Sequence, residues 1–276
     1  MSAPVFTQVA GYRVAIAELP LSAERSDEAA GAVVAIDGGG EWWSRASDAV
    51  DAGAAGVVVA RPAFAPSGAL DALGAHAGAT PLVAERPLLR SDVAAKVVEA
   101  FATVPAYAAA VVECHAPAGA IPTALRDAVG WVRELSRSHV TVAECQTSSG
   151  RSVALLETAD GGVWSLLAAA QHGAPRPGRI RITSLAETVV EVDDDGGDVS
   201  ASVTDAAGRR VLPASFERPE RLALRRAIDA TQTAVAVSDL EALRHDTAIV
   251  ETILAGRRAS ACGIRRFIFG CFPTEA

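Results

Sequence analysis

The stretch from Val57 to Val98 constrains this chain most, because it alternates apolar runs with helical spacing twice over. Val57-Val58-Val59-Ala60 is a short β-branched run of the kind found in a strand buried on both faces. Arg61-Pro62 ends it, and Leu70, Leu73 and Ala77 then recur at helical spacing until Gly78. Pro81-Leu82-Val83-Ala84 is a second apolar run, ended by Glu85-Arg86-Pro87. Ser91-Asp92 opens a further helix carrying Val93, Val97 and Val98. Strands that alternate with helices predict a parallel sheet with right-handed crossovers. Ligands of such sheets bind at the carboxyl ends of the strands, which directs attention to the turns with Pro62 and Pro87.

Upstream, Tyr12 to Ala17 reads as the first strand and Ala32 to Asp37 as the second. A dinucleotide-binding unit needs a glycine-rich turn after its first strand, so that the backbone can approach a pyrophosphate. Glu18-Leu19-Pro20-Leu21-Ser22 stands there instead, with a carboxylate where phosphates would sit. Two readings remain open for the turn after Asp37. Asp37 holds an adenosine ribose while Gly38 and Gly40 cradle phosphate, or Gly38-Gly39-Gly40 is a plain flexible turn. Trp43 occupies the place of a third glycine, and Trp42 with Trp43 reads as a core or interface plug.

Downstream, Tyr107 to Cys114 reads as a strand with His115 at its carboxyl end, a ligand or a solvated loop residue. Pro122 to Arg137 is an amphipathic helix with Leu125, Val129, Val132 and Leu135 on one face. Asp127, beside Arg126, reads as an exposed helix carboxylate or as a hydrogen-bond acceptor for a substrate hydroxyl. From Val140 to Thr204 six short strands form an antiparallel meander, with turns that include Asp160-Gly161-Gly162 and Asp193 to Gly197. Two helices follow, Glu220 to Ala230 and one opened by the capping box Ser238-Asp239-Leu240-Glu241. An apolar tail, Cys262 to Ala276, is expected to pack on a partner or on the core.

A net charge of -8, with no basic cluster, argues against a nucleic-acid partner. The cysteines Cys114, Cys145, Cys262 and Cys271 form no C-x-x-C and read as buried thiols in a reducing cytoplasm. No metal is expected, since Asp193-Asp194-Asp195 lacks the spacing of a calcium loop. No membrane-spanning run and no signal peptide is evident, and the near absence of lysine, Lys96 alone, fits a GC-rich bacterial genome.

The central stretch resembles the Gfo/Idh/MocA family of NAD(P)-dependent sugar and polyol oxidoreductases. Members carry a strand ending in Thr-Pro, a helix, and a strand ending in Glu-Lys-Pro; Ala60-Arg61-Pro62 and Glu85-Arg86-Pro87 stand in those places. The resemblance implies a fold of class α/β plus α+β. A reduced Rossmann-like domain, 1–106, precedes an open, mostly antiparallel sheet domain, 107–276, whose last helices return towards the first. It places Arg61, Pro62 and Glu85 on the cofactor side and Arg86 where the family's lysine lies beside nicotinamide and substrate. Registered on Arg133-Glu134-Leu135, Asp127 takes the place of the catalytic histidine and Gly130 that of a later aspartate. The segment from Asp37 to Pro62 is short for the family. With the pyrophosphate turn, the lysine and the histidine all missing, the expectation is a degenerate member. It would act as a non-catalytic subunit or binding protein that pairs with itself or an active relative through the open sheet. The alternative is an active NAD(P)-dependent sugar or polyol oxidoreductase with a rebuilt site, using Arg86 with Asp127 or His115.

Overall fold

The run Gly56–Ala60 is buried at every position, as its β-branched sequence predicts, and forms strand β4. Beside it run β3 (Val33–Asp37) and β5 (Leu82–Glu85), and β1 (Ala3–Thr7) and β2 (Ala23–Arg25) extend the sheet on the β3 side. All pairings are parallel, in the order β2-β1-β3-β4-β5. The computed structural model describes residues 2–100, 109–174, 177–184, 189–195, 198–233 and 236–256. The apolar tail, with Cys262 and Cys271, and the start of the strand expected from Tyr107 lie outside them.

The first strand is a correction. Tyr12 to Ala17 belongs to helix α1 (Ala10–Ala17), and β1 lies upstream of it. Tyr12, Ala15 and Ile16 are buried while Val14 is 44% exposed, which is helical spacing, not alternation. The turn that matters for a dinucleotide is therefore Thr7-Gln8-Val9, not Glu18 to Ser22. The shortening also moves. Helix α2 (Trp42–Asp51) does connect β3 to β4, whereas β2 reaches β3 through residues 26–32 without a helix. One strand lies beyond β1, where a full dinucleotide fold has two.

Helices cover both faces of this sheet. On one face Tyr12 packs with Val33, Val58 and Val83 and with Leu224 and Ala227 of α6 (Pro219–Thr233). On the other, Trp42 packs with Val57, Val59, and Leu70 and Leu73 of α3 (Ser67–Ala77), joined by Leu243 of α7 (Asp239–Leu254). Trp42 is thus the core plug expected. Helix α6 packs against the first sheet, and α7 packs against β5 of that sheet as well as against α5, β7 and β8.

After α4 (Ser91–Ala100) the chain enters β6 (Ala109–Ala116) and α5 (Ile121–Ser136). Then come β7 (Val140–Ser148), β8 (Arg151–Thr158), β9 (Val163–Ala170), β10 (Arg179–Ser184), β11 (Val189–Asp195), β12 (Asp198–Asp205) and β13 (Gly208–Val211). The sheet order is β13-β12-β11-β10-β6-β9-β8-β7. It is not a pure meander, because β6 and β9 pair in parallel at its middle. Strand β13 was not legible, and Asp193 to Asp195 belong to β11, not to a turn. Trp131, Leu125 and Val129 of α5 fill one face of the sheet against Val112, Cys114 and Leu166. The capping box does not form: Ser238 has φ -93° and ψ 9°, and its side chain makes no cap bond. No described helix is long and apolar enough to cross a membrane.

Candidate functional site

The carboxyl ends of β1, β3, β4 and β5 bring Thr7, Asp37, Arg61 and Glu85 to one edge of the first sheet. Helix α5 closes over the last two turns. The Arg126 guanidinium donates to Pro62 O at 3.0 Å, and the Phe64 N–H donates to the Thr123 hydroxyl at 3.1 Å. The Leu88 N–H donates to Asp127 Oδ2 at 3.2 Å.

Arg86 and Asp127 do meet. Arg86 Nε donates to Asp127 Oδ1 at 2.9 Å, Nη1 to Asp246 Oδ2 at 2.6 Å and Nη2 to Arg126 O at 2.8 Å. Asp246 comes from α7 and also accepts from Arg133 Nε at 3.0 Å. The side chains of Arg86, Asp127 and Asp246 are 7%, 0% and 0% exposed. The expectation of an exposed Asp127 is corrected: its oxygens bond Arg86, Arg126 and a backbone N–H that lie on other turns or along the helix. Burial works against the charge of Asp246, yet Arg86 and Arg133 hold its carboxyl well below the usual range. Burial likewise opposes the charge on Arg86, and Asp127 and Asp246 outweigh it. Gly130 lies inside this network: a Cβ there would stand 2.6 Å from Arg86 Nη2 and 2.8 Å from Asp246 Oδ2.

His115 does not join them. Along β6, Val112, Cys114 and Ala116 face α5, so His115 lies with Val111 and Glu113 on the opposite face of the sheet. Burial pushes the Cys114 thiol up to about 12, which leaves it inert.

Glu85 forms a second cluster. Tyr12 Oη donates to Glu85 Oε2 at 2.6 Å, and Arg61 Nε lies 3.6 Å from Oε1. Burial, with Glu220 adding repulsion, raises Glu85 to about 7 against the pull of Tyr12 and Arg61. Burial and Glu85 raise the Tyr12 phenol as well. Arg61 has φ +49°, a left-handed backbone that is strained for a side chain of its size. Tyr12 was missed because its helix was read as a strand.

Two of the glycine N–H groups expected to face a phosphate have partners within the protein. The Gly38 N–H donates to Ala60 O at 2.8 Å, and a Cβ on Gly38 would meet that oxygen at 2.2 Å. Gly38 thus serves close packing of two neighbouring turns. The Gly39 N–H turns back to Asp37 Oδ2 at 3.3 Å, and Gly40, at φ +51°, is exposed. At the start of α1 the Val9 N–H is bonded to the Thr7 hydroxyl at 3.0 Å. The space beside Gly11 holds Glu220, whose Oε1 would lie 3.0 Å from a Cβ there. A carboxylate in that place repels a pyrophosphate. Arg25, at the end of β2, is of the residue type that suits a 2′-phosphate, and it lies 3.6 Å from Asp27. No cluster of three metal-type ligands occurs among the described residues.

No family model and no curated protein matches the sequence. Solved structures do match. UDP-N-acetylglucosamine 3-dehydrogenase GnnA from Acidithiobacillus ferrooxidans superposes with a TM-score of 0.70 at 13% identity, over 93% of this chain and 98% of that one. KijD10, a 3-ketoreductase from Actinomadura kijaniata in complex with NADP, gives a TM-score of 0.67 at 11% identity, over 94% and 98%. The two-domain fold is that of these oxidoreductases. At such identities the likeness speaks for the fold and not for the chemistry.

Proposed function

We propose that this chain is a non-catalytic subunit built on an oxidoreductase fold, which pairs with a second copy of itself through the open face of the eight-stranded sheet. The observation that carries the reading is the burial of Arg86 and Asp127 in one ion network. The resemblance gives these positions the contacts to nicotinamide and substrate. A guanidinium with three bonded nitrogens and a fully buried carboxylate offer neither a proton route nor a surface to a sugar hydroxyl. The bonded N–H groups around Gly38 and the carboxylate beside Gly11 support the same reading. For pairing, Val153 and Leu167 sit directly opposite each other on β8 and β9, 53% and 43% exposed. Glu113 and Arg181, also cross-strand neighbours, lie on that face and give it charges of both signs, as self-complementary contact requires.

A second reading, an NAD(P)-dependent oxidoreductase of a sugar or polyol, draws on Glu85. A carboxyl that titrates near 7 at the carboxyl edge of a parallel sheet has the property of a general acid or base. Titration of the purified protein with NADH and NADPH, followed by tryptophan fluorescence and thermal stability, separates the two. The expected result is no saturable response to either; micromolar saturation would overturn the first reading and call for a screen of sugars and inositols.

A further inference from the structure

The open face of the second sheet has two unlike halves. One cross-strand row runs from β12 to β8 through Ser200, Asp193, Arg181, Glu113, Leu167 and Val153. Towards β13 the face is charged and paired within itself: Arg179 and Arg181 hold Asp193, and Arg209 holds Glu191. Towards β8 it is apolar. Val153 and Leu167 are exposed there, and Leu155, Val163 and Val111 stand half-buried on the same side. A contiguous apolar patch rimmed by charge marks an interaction surface.

We propose that residues 264–272, in the segment that follows α7, cover this apolar half on their own chain. The end of α7 is pinned to the edge strand β7. The Thr147 hydroxyl donates to Ile253 O at 2.8 Å, and Cys145 Sγ donates to Thr252 O at 3.6 Å. The chain therefore leaves α7 at the edge from which β8 and β9 are the next two strands, each about 5 Å further in. From Gly256 to Phe267 an extended chain reaches about 36 Å, which is ample to round β7. In an extended run Arg265, Phe267, Phe269 and Cys271 share one side. That side brings two aromatic rings to a surface of valine and leucine, a favourable pairing on a sheet. The approach is matched in charge. Glu144 on β7 and Glu157 on β8 border the patch on the side from which the segment arrives, and Arg265 and Arg266 precede the phenylalanines. The docking does not rest on the pairing proposed above. Its consequence does: a second copy reaches Val153 and Leu167 only by displacing the segment, so the two compete.

The test is a disulfide trap in the full chain, with the native Cys271 as the probe. The background is Cys262→Ser, and Cys114 and Cys145 are buried. With Val153→Cys added, diamide oxidation of dilute protein is expected to join position 153 to Cys271 within one chain, as read by peptide mapping of the monomer band. Ser200→Cys places a thiol in the same row, exposed, but five strand spacings or about 24 Å away. It should cross-link about tenfold more slowly, and Phe267→Asp with Phe269→Asp should slow the Val153→Cys reaction by about as much. Failure to form the intrachain disulfide, equal rates at the two positions, a rate that the two aspartates leave unchanged, or a mainly interchain product would overturn the assignment. A chain that forms the trap yet sediments as a monomer loses the pairing and keeps the docking; a dimer without the trap does the reverse.

Discussion

Arg86 reaches across 41 residues of sequence to Asp127, its Nε 2.9 Å from Oδ1, and both side chains are shut off from solvent. The contact joins the turn after β5 to α5, and Asp246 adds α7 to the same network. Restoring the lysine that the resemblance calls for would therefore not restore a site. Arg86→Lys can replace one of three bonds, and the aspartate it no longer reaches keeps only its second arginine, Arg126 for Asp127 or Arg133 for Asp246, so the loss is that of charged hydrogen bonds, about 1.5–3 kcal/mol. The expected outcome is a melting temperature lower by roughly 5 °C and no dehydrogenase turnover. Measurable turnover with NADH or NADPH and a sugar would mean that the cofactor site is intact.

Gly130 tests the same network from the helix side. Alanine is the better helix former, but its Cβ would lie 2.5 Å from Leu89 Cδ2 and 2.6 Å from Arg86 Nη2. Gly130→Ala should lose about 1–3 kcal/mol in urea unfolding through overpacking. Gly68, in α3, has nothing within 4 Å of its Cβ position, so Gly68→Ala should gain about 0.5–1 kcal/mol. If the two substitutions act alike, the packing around Gly130 is looser than described.

How much of this was legible depends on where a residue's partners lie. Strands β4 and β5 were plain because full burial on both faces demands an unbroken apolar run. Strand β1 was not, because Ala3–Thr7 holds Pro4 at an exposed position and precedes a helix in which Tyr12, Val14 and Ile16 alternate as strand residues do. The place of Asp127 in sequence was marked, but its burial was not, since the groups that satisfy it come from Arg86 and Leu88 in a distant turn. Ser238 has the sequence of a cap, yet tertiary contacts take over. The neighbouring Asp239 accepts from the Ala84 N–H at 2.9 Å and from Arg226.

The open sheet face makes its own forecast. A cross-strand pair of exposed aliphatic side chains loses solvent contact when a second copy covers it. Leu167→Asp would place a charge in that contact, so the proposed dimer should dissociate to a monomer in sedimentation velocity while the fold, read by circular dichroism, is retained. A parent protein that sediments as a monomer at tens of micromolar would end the pairing proposal.

Glu85 gives the chain a pH dependence of definite sign. Its folded-state value of about 7 lies above the ordinary 4.5, so between these values the folded state holds a proton that the unfolded state has lost. Stability from this group is then greatest below pH 4.5, falls as pH rises towards 7, and stays reduced above it. A shift of that size corresponds to about 3 kcal/mol. The groups that face Glu85 are Tyr12 from α1, Arg61 from the turn after β4, and Glu220 from α6. Glu85→Gln keeps an oxygen to accept from the Tyr12 hydroxyl and removes the charge. The variant should match the parent near pH 4.5 and exceed it by up to about 3 kcal/mol at pH 8, as read by urea unfolding across that range. Parallel stability curves for the two proteins would mean that Arg61 draws close enough to keep Glu85 ionised, and the case for an acid or base at this edge would go with it.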